Sequence, residues 1–318
     1  MIDLDLGRIA MGCVPIGGFR GMVPADQAVA TVRRAFELGI RYFDTAPHYG
    51  NGRAELLLGH AMRDVPRDDW ILSTKVGRWL EPAGAPGRPP QARPGEGAPF
   101  NSHFDYSRDG TLRALEQSLN RIGTSRVDLV YIHDCDAQAH GSEEVTEKMF
   151  ATALKGAVPA LQELKRAGVI RAFGVGINQP HWAERWIREA PIDMLMLAGR
   201  VTLLNRDAIP GILDECTRRG ITYVAAGAFN GGLLARGVNH GHFNYRPVSP
   251  EIEKAYERLL TLARETGTDL KAGAIQFVLR HEQVASVVMG AASPAEVEEN
   301  LRLAKTPVPE AFWRNLPG

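Results

Sequence analysis

Short apolar runs alternate with amphipathic segments along this chain. The runs are rich in Val, Ile, Leu, Phe and Tyr, and most are apolar throughout rather than at every second position. Such runs predict β-strands that are covered on both faces, as in a parallel sheet. The predicted strands are residues 40–45, 70–75, 127–133, 170–175, 192–197, 221–226 and 285–290, with a weaker first strand at 10–15.

Amphipathic segments fill the intervals, and four predicted helices end in glycine, a common helix terminator. They are residues 27–39, 110–123, 157–168 and 211–220. Eight strand–helix units in a chain of this length predict an α/β fold, a closed (β/α)8 TIM barrel that forms one domain over residues 1–318. An open doubly wound sheet is the alternative. Residues 1–12 are expected to form a small hairpin at the barrel bottom.

Two stretches rich in Pro and Gly interrupt this rhythm, at residues 77–107 and 228–250. Loops this long inside a compact domain are usually functional or disordered. Both follow the carboxyl end of a predicted strand, where barrel active sites lie. We expect them to fold over a cofactor or substrate, and mobile surface loops are the alternative.

Composition narrows the possible partners. The 318 residues are 44% apolar and 23% charged, with a formal net charge of zero. No basic stripe is present, so nucleic acid and anionic membranes are not expected partners. The N-terminus lacks an apolar signal core, and no apolar run is long enough to span a bilayer. We expect a cytoplasmic protein, a monomer or small homo-oligomer, that acts on a small molecule.

The three cysteines are too few and too widely spaced to indicate a disulfide framework. Cys135, two residues after His133, raises the hypothesis of a thiol nucleophile, although a small buried filler is the simpler interpretation. Residues 133–140 also contain several metal-ligand types. Neighbouring residues of a strand point to opposite faces, so no metal site is predicted there.

Four side chains near strand ends carry the chemistry: Asp44, Tyr49, Lys75 and His133. A phenol titrates at about 10, too high for a base at neutral pH, but a nearby ammonium favours the phenolate. A carboxylate can hold that ammonium in place, and an imidazole can hydrogen-bond the reacting oxygen. This tetrad predicts proton transfer in a carbonyl or alcohol oxidoreductase.

The segments that carry this tetrad resemble the aldo-keto reductases. FDTAPHYG, STKVG and YIHD match the segments where that family keeps its Asp, Tyr, Lys and His, and GVGINQ and VVMGAASPAEVEEN continue the match over essentially the whole chain. The resemblance implies a (β/α)8 barrel that binds a nicotinamide cofactor and uses Tyr49 as acid and base. The Rossmann GxGxxG fingerprint, a P-loop and a YxxxK pair are missing.

The resemblance also implies where the cofactor binds. Asn178 takes the role of the polar residue that holds the carboxamide, and backbone amides of Gly227, Asn230 and Leu233 are expected to donate to the phosphates. Glu299 and Asn300 match residues that hold the adenine. Members that prefer NADP place Lys and Arg around the 2′-phosphate, whereas Gly290 and Glu296 stand at those positions here. This difference favours NAD, with NADP the less expected cofactor.

Phe19, His48 and Trp79 follow the first three strands and are expected to line the substrate pocket. LAGRVTLLN and FNSHFDYSRDG resemble the branch of aldose 1-dehydrogenases that act on fucose, arabinose or galactose, a trait shared with pyridoxal 4-dehydrogenases. These substrates are cyclic hemiacetals whose oxidation gives lactones. The resemblance thus implies an NAD(P)-dependent dehydrogenase for an aldose.

Four other hypotheses remain open. They are a pyridoxal 4-dehydrogenase that forms 4-pyridoxolactone, a general aldehyde or ketone reductase, a cofactor-binding regulatory subunit with little turnover, and a lyase or isomerase that forms a Schiff base on Lys75. An intact tetrad argues against the regulatory subunit.

Overall fold

A computed structural model describes residues 2–19, 21–84, 97–244 and 246–317. Its strands, in chain order, are β1 (Ile9–Gly12), β2 (Tyr42–Asp44), β3 (Ile71–Val76), β4 (Arg78–Pro82), β5 (Phe100–Phe104), β6 (Leu129–His133), β7 (Ala172–Ile177), β8 (Met194–Ala198), β9 (Thr222–Ala226) and β10 (Val284–Gly290).

Eight of these strands close into a parallel barrel in the order β1-β10-β9-β8-β7-β6-β3-β2. Each has a neighbour on both sides, and β1 pairs with both β2 and β10. The prediction of a closed (β/α)8 barrel is therefore confirmed, and the doubly wound sheet is wrong. The parallel register places the carboxyl ends of β2, β3 and β6 side by side.

Helices cover the outside of the barrel. They are α1 (Ala25–Glu37), α2 (Arg53–Met62), α3 (Arg108–Ile122), α4 (Ala137–His140), α5 (Glu143–Lys155), α6 (Ala157–Arg166), α7 (Pro180–Glu189), α8 (Gly211–Arg219), α9 (Leu233–Arg236), α10 (Pro250–Glu265), α11 (Leu270–Leu279), α12 (Pro294–Lys305) and α13 (Glu310–Arg314). Ser107 caps the N-terminus of α3, and the left-handed Gly123 ends it. None of the helices in the described ranges is long and apolar enough to cross a membrane.

Residues 2–8 have no regular secondary structure and do not form the expected hairpin. Only Ile9–Gly12 is a strand, and its partners are the barrel strands β2 and β10. Leu6 packs inside the barrel against buried residues such as Leu129, and the N–H of Ile2 donates to Thr222 Oγ1 at 3.1 Å. Apolar side chains thus close the barrel bottom without a second strand.

The two long excursions contain regular structure. β4 and β5 form an antiparallel hairpin within residues 77–107, and Trp79 pairs with His103 across it. Residues 85–96, the centre of that predicted loop, lie outside the described residues. The excursion at 228–250 contains the short helix α9 between 3-10 turns at Asn230–Gly232 and Val238–His240.

Candidate active site at the carboxyl ends of β2, β3 and β6

The barrel brings three of the four predicted catalytic side chains to one end. Asp44 is the last residue of β2, Lys75 the penultimate residue of β3, and His133 the last residue of β6. In β3, Ser73 and Lys75 point into the barrel, whereas Thr74 points outward and donates to Glu55 of α2 at 2.7 Å. Strand alternation therefore selects which side chains enter the site.

Lys75 is the centre of this cluster. Its Nζ donates to both carboxylate oxygens of Asp44 at 2.7 Å and to the carbonyl of Thr45 at 2.9 Å. Only 2% of either side chain in the ion pair is exposed, so water screens it little. The same Nζ lies 4.7 Å from the centroid of the Tyr49 ring. The ammonium is thus held by Asp44 in the position from which it can stabilise a Tyr49 phenolate.

Two imidazoles complete the site. The His133 ring lies 5.9 Å from the Tyr49 ring and 6.4 Å from the His48 ring, measured between centroids. Burial lowers the pKa of His133 to about 3, and burial also lowers the pKa of His48. Both rings are therefore neutral near pH 7. A neutral His133 can donate one hydrogen bond and accept one, as a proton relay requires.

The structure adds an ion pair that the sequence patterns did not reveal. Arg78 of β4 donates to Asp134 Oδ2 at 2.9 Å, and Asp134 Oδ1 lies 3.4 Å from His133 Nε2. Burial opposes the charged form of Asp134, but His133 and Arg78 outweigh it, so the pKa of Asp134 lies below its usual value. Tyr106, just after β5, donates to the carbonyl of His133 at 2.8 Å.

Asp134 differs from the sequence expectation for a physical reason. Alternation along a strand would turn its carboxylate away from His133. However, Asp134 follows the last residue of β6 and has a positive φ of 54°. This left-handed turn brings the carboxylate back towards the imidazole, because alternation holds only within extended backbone.

Hydroxyl groups lie beneath the tetrad, in the barrel interior. Ser73 Oγ donates to Asp44 Oδ1 at 2.7 Å, and Tyr42 OH lies 3.1 Å from both Ser73 Oγ and Tyr131 OH. We call Ser73, Tyr42 and Tyr131 the hydroxyl chain. A sequence signal was present, because each member stands two positions before Asp44, Lys75 or His133 and so shares its face.

Asn178, the residue predicted to hold the carboxamide, lies just after β7. Its N–H and its side-chain amide both donate to Asp136 Oδ2, the amide at 3.2 Å. Its carbonyl accepts from Arg200 Nε at 2.7 Å. Asp136 also caps α4, so the loops after β6 and β7 are joined through one carboxylate.

Two of the three backbone amides predicted to bind phosphate after β9 are hydrogen-bonded within the chain. The N–H of Asn230 donates to Gly227 at 2.8 Å and that of Leu233 donates to Asn230, so both are used within the turn. The Asn230 side chain is 3% exposed, and neither its oxygen nor its nitrogen has a hydrogen-bond partner among the described residues. A Cβ on Gly199 would lie 3.6 Å from this amide nitrogen.

The residues predicted to bind adenosine, Glu296, Glu299 and Asn300, lie in the N-terminal part of α12. Ser293 caps the helix, and the Glu296 carboxylate accepts the N–H of Ala292 at 2.7 Å. Glu296 is thus part of a capping arrangement as well as a candidate specificity residue. Glu299 pairs with Lys271 of α11, and Asn300 is largely buried and donates to the carbonyl of Gly290 at 3.4 Å.

The predicted substrate residues Phe19, Trp79 and His48 have different surroundings. Phe19 is 57% exposed in the loop after β1. Trp79 stacks on His103, with ring centroids 5.0 Å apart, and the Arg113 guanidinium of α3 lies 4.8 Å from its ring. In the hairpin it is the neighbouring Arg78 that turns towards Asp134 and the site. His48 lies beside His133, with ring centroids 6.4 Å apart.

A closed parallel barrel with a paired lysine, a tyrosine and a histidine at its carboxyl end defines a class of barrel oxidoreductases. The chain belongs to one family of that class: the model of the Aldo/keto reductase family matches residues 8–317. It is therefore an oxidoreductase of a family that uses nicotinamide cofactors.

Known proteins similar to this chain include two characterised dehydrogenases. Pyridoxal 4-dehydrogenase of Microbacterium luteolum is 35% identical over 98% of this chain and 94% of its own length. D-threo-aldose 1-dehydrogenase of a Pseudomonas species is 33% identical with the same coverage. A solved aldo-keto reductase from Bacillus halodurans, in its holo form, superposes with a TM-score of 0.73 at 25% identity, covering 100% of this chain and 94% of that one.

Proposed function

We propose that this protein is an NAD-dependent dehydrogenase that oxidises a cyclic hemiacetal, an aldose such as L-fucose, D-arabinose or galactose, to the lactone. The observation that carries the proposal is the Lys75 ammonium, fixed by two 2.7 Å bonds to Asp44 and facing the Tyr49 ring. The aldose and pyridoxal dehydrogenases similar to this chain support a hemiacetal as the substrate.

In this reaction Tyr49, as phenolate, removes the proton of the anomeric hydroxyl. The neutral His133 hydrogen-bonds the same oxygen and orients it. As the O–H bond breaks, the C–H bond of the same carbon gives its electron pair as hydride and a C=O bond forms. A bound nicotinamide cofactor supplies the hydride acceptor. The Lys75 ammonium stabilises the phenolate more than the neutral phenol, so its charge sets the pKa of Tyr49.

The described residues fit a nicotinamide dinucleotide. Asn230 presents a buried amide with neither atom hydrogen-bonded within the described chain, and a Cβ on the neighbouring Gly199 would lie 3.6 Å from its nitrogen. A buried amide without partners costs free energy unless a ligand satisfies it. We therefore assign Asn230, through its side chain, to the cofactor, with Gly227, Leu233 and Asn178 shaping the same wall.

NAD is the cofactor that we propose, because carboxylates dominate the surface of α12. Glu296 is exposed at its N-terminus, Glu298 pairs with Arg34 at 2.7 Å, and Glu299 pairs with Lys271. Two nearby cations are thus already neutralised. A 2′-phosphate would meet Glu296 as a like charge, whereas a ribose diol can donate to it.

Glu296→Gln and Glu296→Arg separate specificity from capping. The glutamine retains an oxygen for the N–H of Ala292 and removes the charge, so we expect unchanged thermal stability and a smaller preference for NAD. The arginine should shift kcat/KM towards NADP by roughly tenfold or more. Equal use of both cofactors by the unmodified protein would refute the assignment.

Pyridoxal is the second candidate substrate, supported by the 35% identical pyridoxal 4-dehydrogenase. A panel of fucose, arabinose, galactose and pyridoxal, each with NAD and NADP, ranks them by kcat/KM of reduced-cofactor formation. Mass spectrometry then identifies lactone or acid. Faster reduction of open-chain aldehydes with NADPH than oxidation of any hemiacetal would replace this proposal with a general reductase.

A further inference from the structure

The hydroxyl chain is fully buried. Ser73, Tyr42 and Tyr131 are each 0% exposed, and they leave the strands β3, β2 and β6 on the inner face of the barrel. A hydroxyl in such a place needs a partner, and apolar residues of similar size would fill the space at less cost. The chain instead forms consecutive hydrogen bonds that end on the carboxylate of Asp44.

The direction of these hydrogen bonds follows from the proton count. An ionised carboxylate only accepts, so Ser73 gives its single proton to Asp44. Ser73 must then accept the proton of Tyr42, and Tyr42 must accept that of Tyr131. All three O–H dipoles therefore point towards Asp44, and aligned hydrogen bonds of this kind polarise one another.

We propose that Ser73 is a positioning residue of the active site and acts through Asp44. Its hydroxyl, polarised by Tyr42 and Tyr131, offsets part of the negative charge of Asp44. The positive potential of Lys75 at Tyr49 is therefore less strongly cancelled. This proposal rests on the proposed role of Tyr49 as the base. Asp44 lies between the hydroxyl chain and Lys75, so each donor that it gains from below weakens the negative potential it exerts on the phenol above.

The sign of the effect is fixed by electrostatics. Without the Ser73 hydroxyl, the potential at Tyr49 becomes more negative and its pKa rises. Among the described residues, Lys75 and His133 face the Tyr49 ring, and His48 lies beside His133. Cys13, which lies near Asp44, stays a neutral thiol because burial and Asp44 raise its pKa.

Behind the barrel wall, Glu55 is neutralised by Arg121, with the two side chains 2.7 Å apart. Replacing Ser73 by alanine therefore changes one interaction in an otherwise constant set of charges.

The chain offers a matched control on the same strand. Thr74 also donates a buried hydroxyl to a buried carboxylate, Glu55, at 2.7 Å, but on the outer face of the barrel. Thr74→Val removes a hydrogen bond of the same length and kind without touching Asp44. Ser73→Thr keeps the hydroxyl, and Tyr42→Phe removes only the donor behind Ser73.

The experiment measures the pKa of Tyr49 in two ways, by titration of the protein without substrate and by the pH dependence of turnover. The near-ultraviolet tyrosinate titration of each protein, minus that of its Tyr49→Phe partner, isolates Tyr49 among the seven tyrosines. In parallel, the pH profile of kcat for hemiacetal oxidation reports the same group in the complex. The titration needs no substrate, so it tests this inference even if the substrate proposal fails.

For Ser73→Ala we expect both midpoints to rise by about half to one pH unit, which lowers kcat roughly three- to tenfold below the midpoint and leaves the plateau unchanged. Tyr42→Phe should show a smaller rise in the same direction, and it replaces Ser73→Ala if that variant does not fold. Ser73→Thr and Thr74→Val should show none. An unmoved midpoint, a loss of kcat that is equal at every pH, or a similar shift in Thr74→Val would overturn the proposal.

Discussion

The tetrad is supported from two sides that are built differently. Below it, the hydroxyl chain consists of strand residues that are fully buried in the interior of the barrel. Above it, the β4–β5 hairpin contacts the site through Arg78, and its Asp134 ion pair is 13% and 15% exposed at the two side chains. The interior fixes Asp44 and Lys75, whereas the hairpin contacts the loop that carries Tyr49 and the turn that follows His133.

The hairpin reaches both loops through several contacts. The N–H of Ala98 donates to the carbonyl of Gly50, and the Asn51 side-chain amide donates to the carbonyl of Phe100, both at 2.8 Å. The start of β5 is thus hydrogen-bonded to the segment that carries Tyr49. Tyr106 donates to the carbonyl of His133, and Arg78 donates to the carboxylate of Asp134, the next residue. In the proposed mechanism, the barrel interior sets the basicity of Tyr49, and the insertion outside the barrel sets the geometry of the site.

The largest effect is expected where the two supports meet. Tyr49→Phe removes the proposed base and should lower kcat by at least ~10²-fold, as is typical when general acid–base catalysis is lost. Cofactor affinity, measured by fluorescence quenching, should not change. Turnover close to that of the unmodified enzyme would show that neither support serves Tyr49.

Arg78→Met tests the hairpin alone. It leaves the Asp134 carboxylate largely buried without its cation, and we expect the free energy of unfolding to fall by roughly 2–3 kcal/mol. Arg78→Met with Asp134→Asn should recover much of this loss, because the unpaired charge is then gone. Denaturant unfolding of the unmodified protein, the two single variants and the double variant gives the coupling energy between Arg78 and Asp134. Additive effects would mean that the ion pair does not stabilise the hairpin.

Acid should weaken the fold through His133. Burial lowers its pKa to about 3, while an unfolded histidine titrates at about 6.5. Below about pH 6.5 the unfolded state binds a proton that the folded state does not, so the free energy of unfolding decreases as the pH falls. By about pH 5 the loss from this group is about 2 kcal/mol. Stability curves of the wild type and His133→Gln should converge in acid; parallel curves would contradict this assignment.

The smallest effect concerns a single hairpin contact. Asn51 has a positive φ of 50°, which glycine also adopts. Asn51→Gly therefore keeps the backbone conformation and removes the hydrogen bond from the side-chain amide to the carbonyl of Phe100. We expect a loss of about 0.5–1.5 kcal/mol in stability. A modest fall in kcat with unchanged KM would show that the hairpin orients Tyr49, and an unchanged kcat would restrict its role to stability.

Much of this architecture was predictable from the chain alone. Eight apolar runs and glycine-terminated helices predicted the barrel, because a parallel sheet covered on both faces leaves a pattern in local sequence. The positions of Asp44, Lys75 and His133 at strand ends followed from the same pattern. Even the hydroxyl chain had a signal, since Tyr42, Ser73 and Tyr131 precede these residues by two positions.

Other features were decided only by the tertiary structure. The sequence indicated a loop where the chain forms the β4–β5 hairpin, and it gave no sign that Arg78 would pair with Asp134, fifty-six residues away. The contacts of Trp79, whose ring stacks on His103 and lies beside the Arg113 guanidinium, likewise arise only in the folded hairpin. Periodicity reports which face of an element is buried, because that is a local property. Which side chains meet across loops depends on the closure of the barrel and on left-handed turns such as the one at Asp134, and these are set by contacts between segments far apart in sequence.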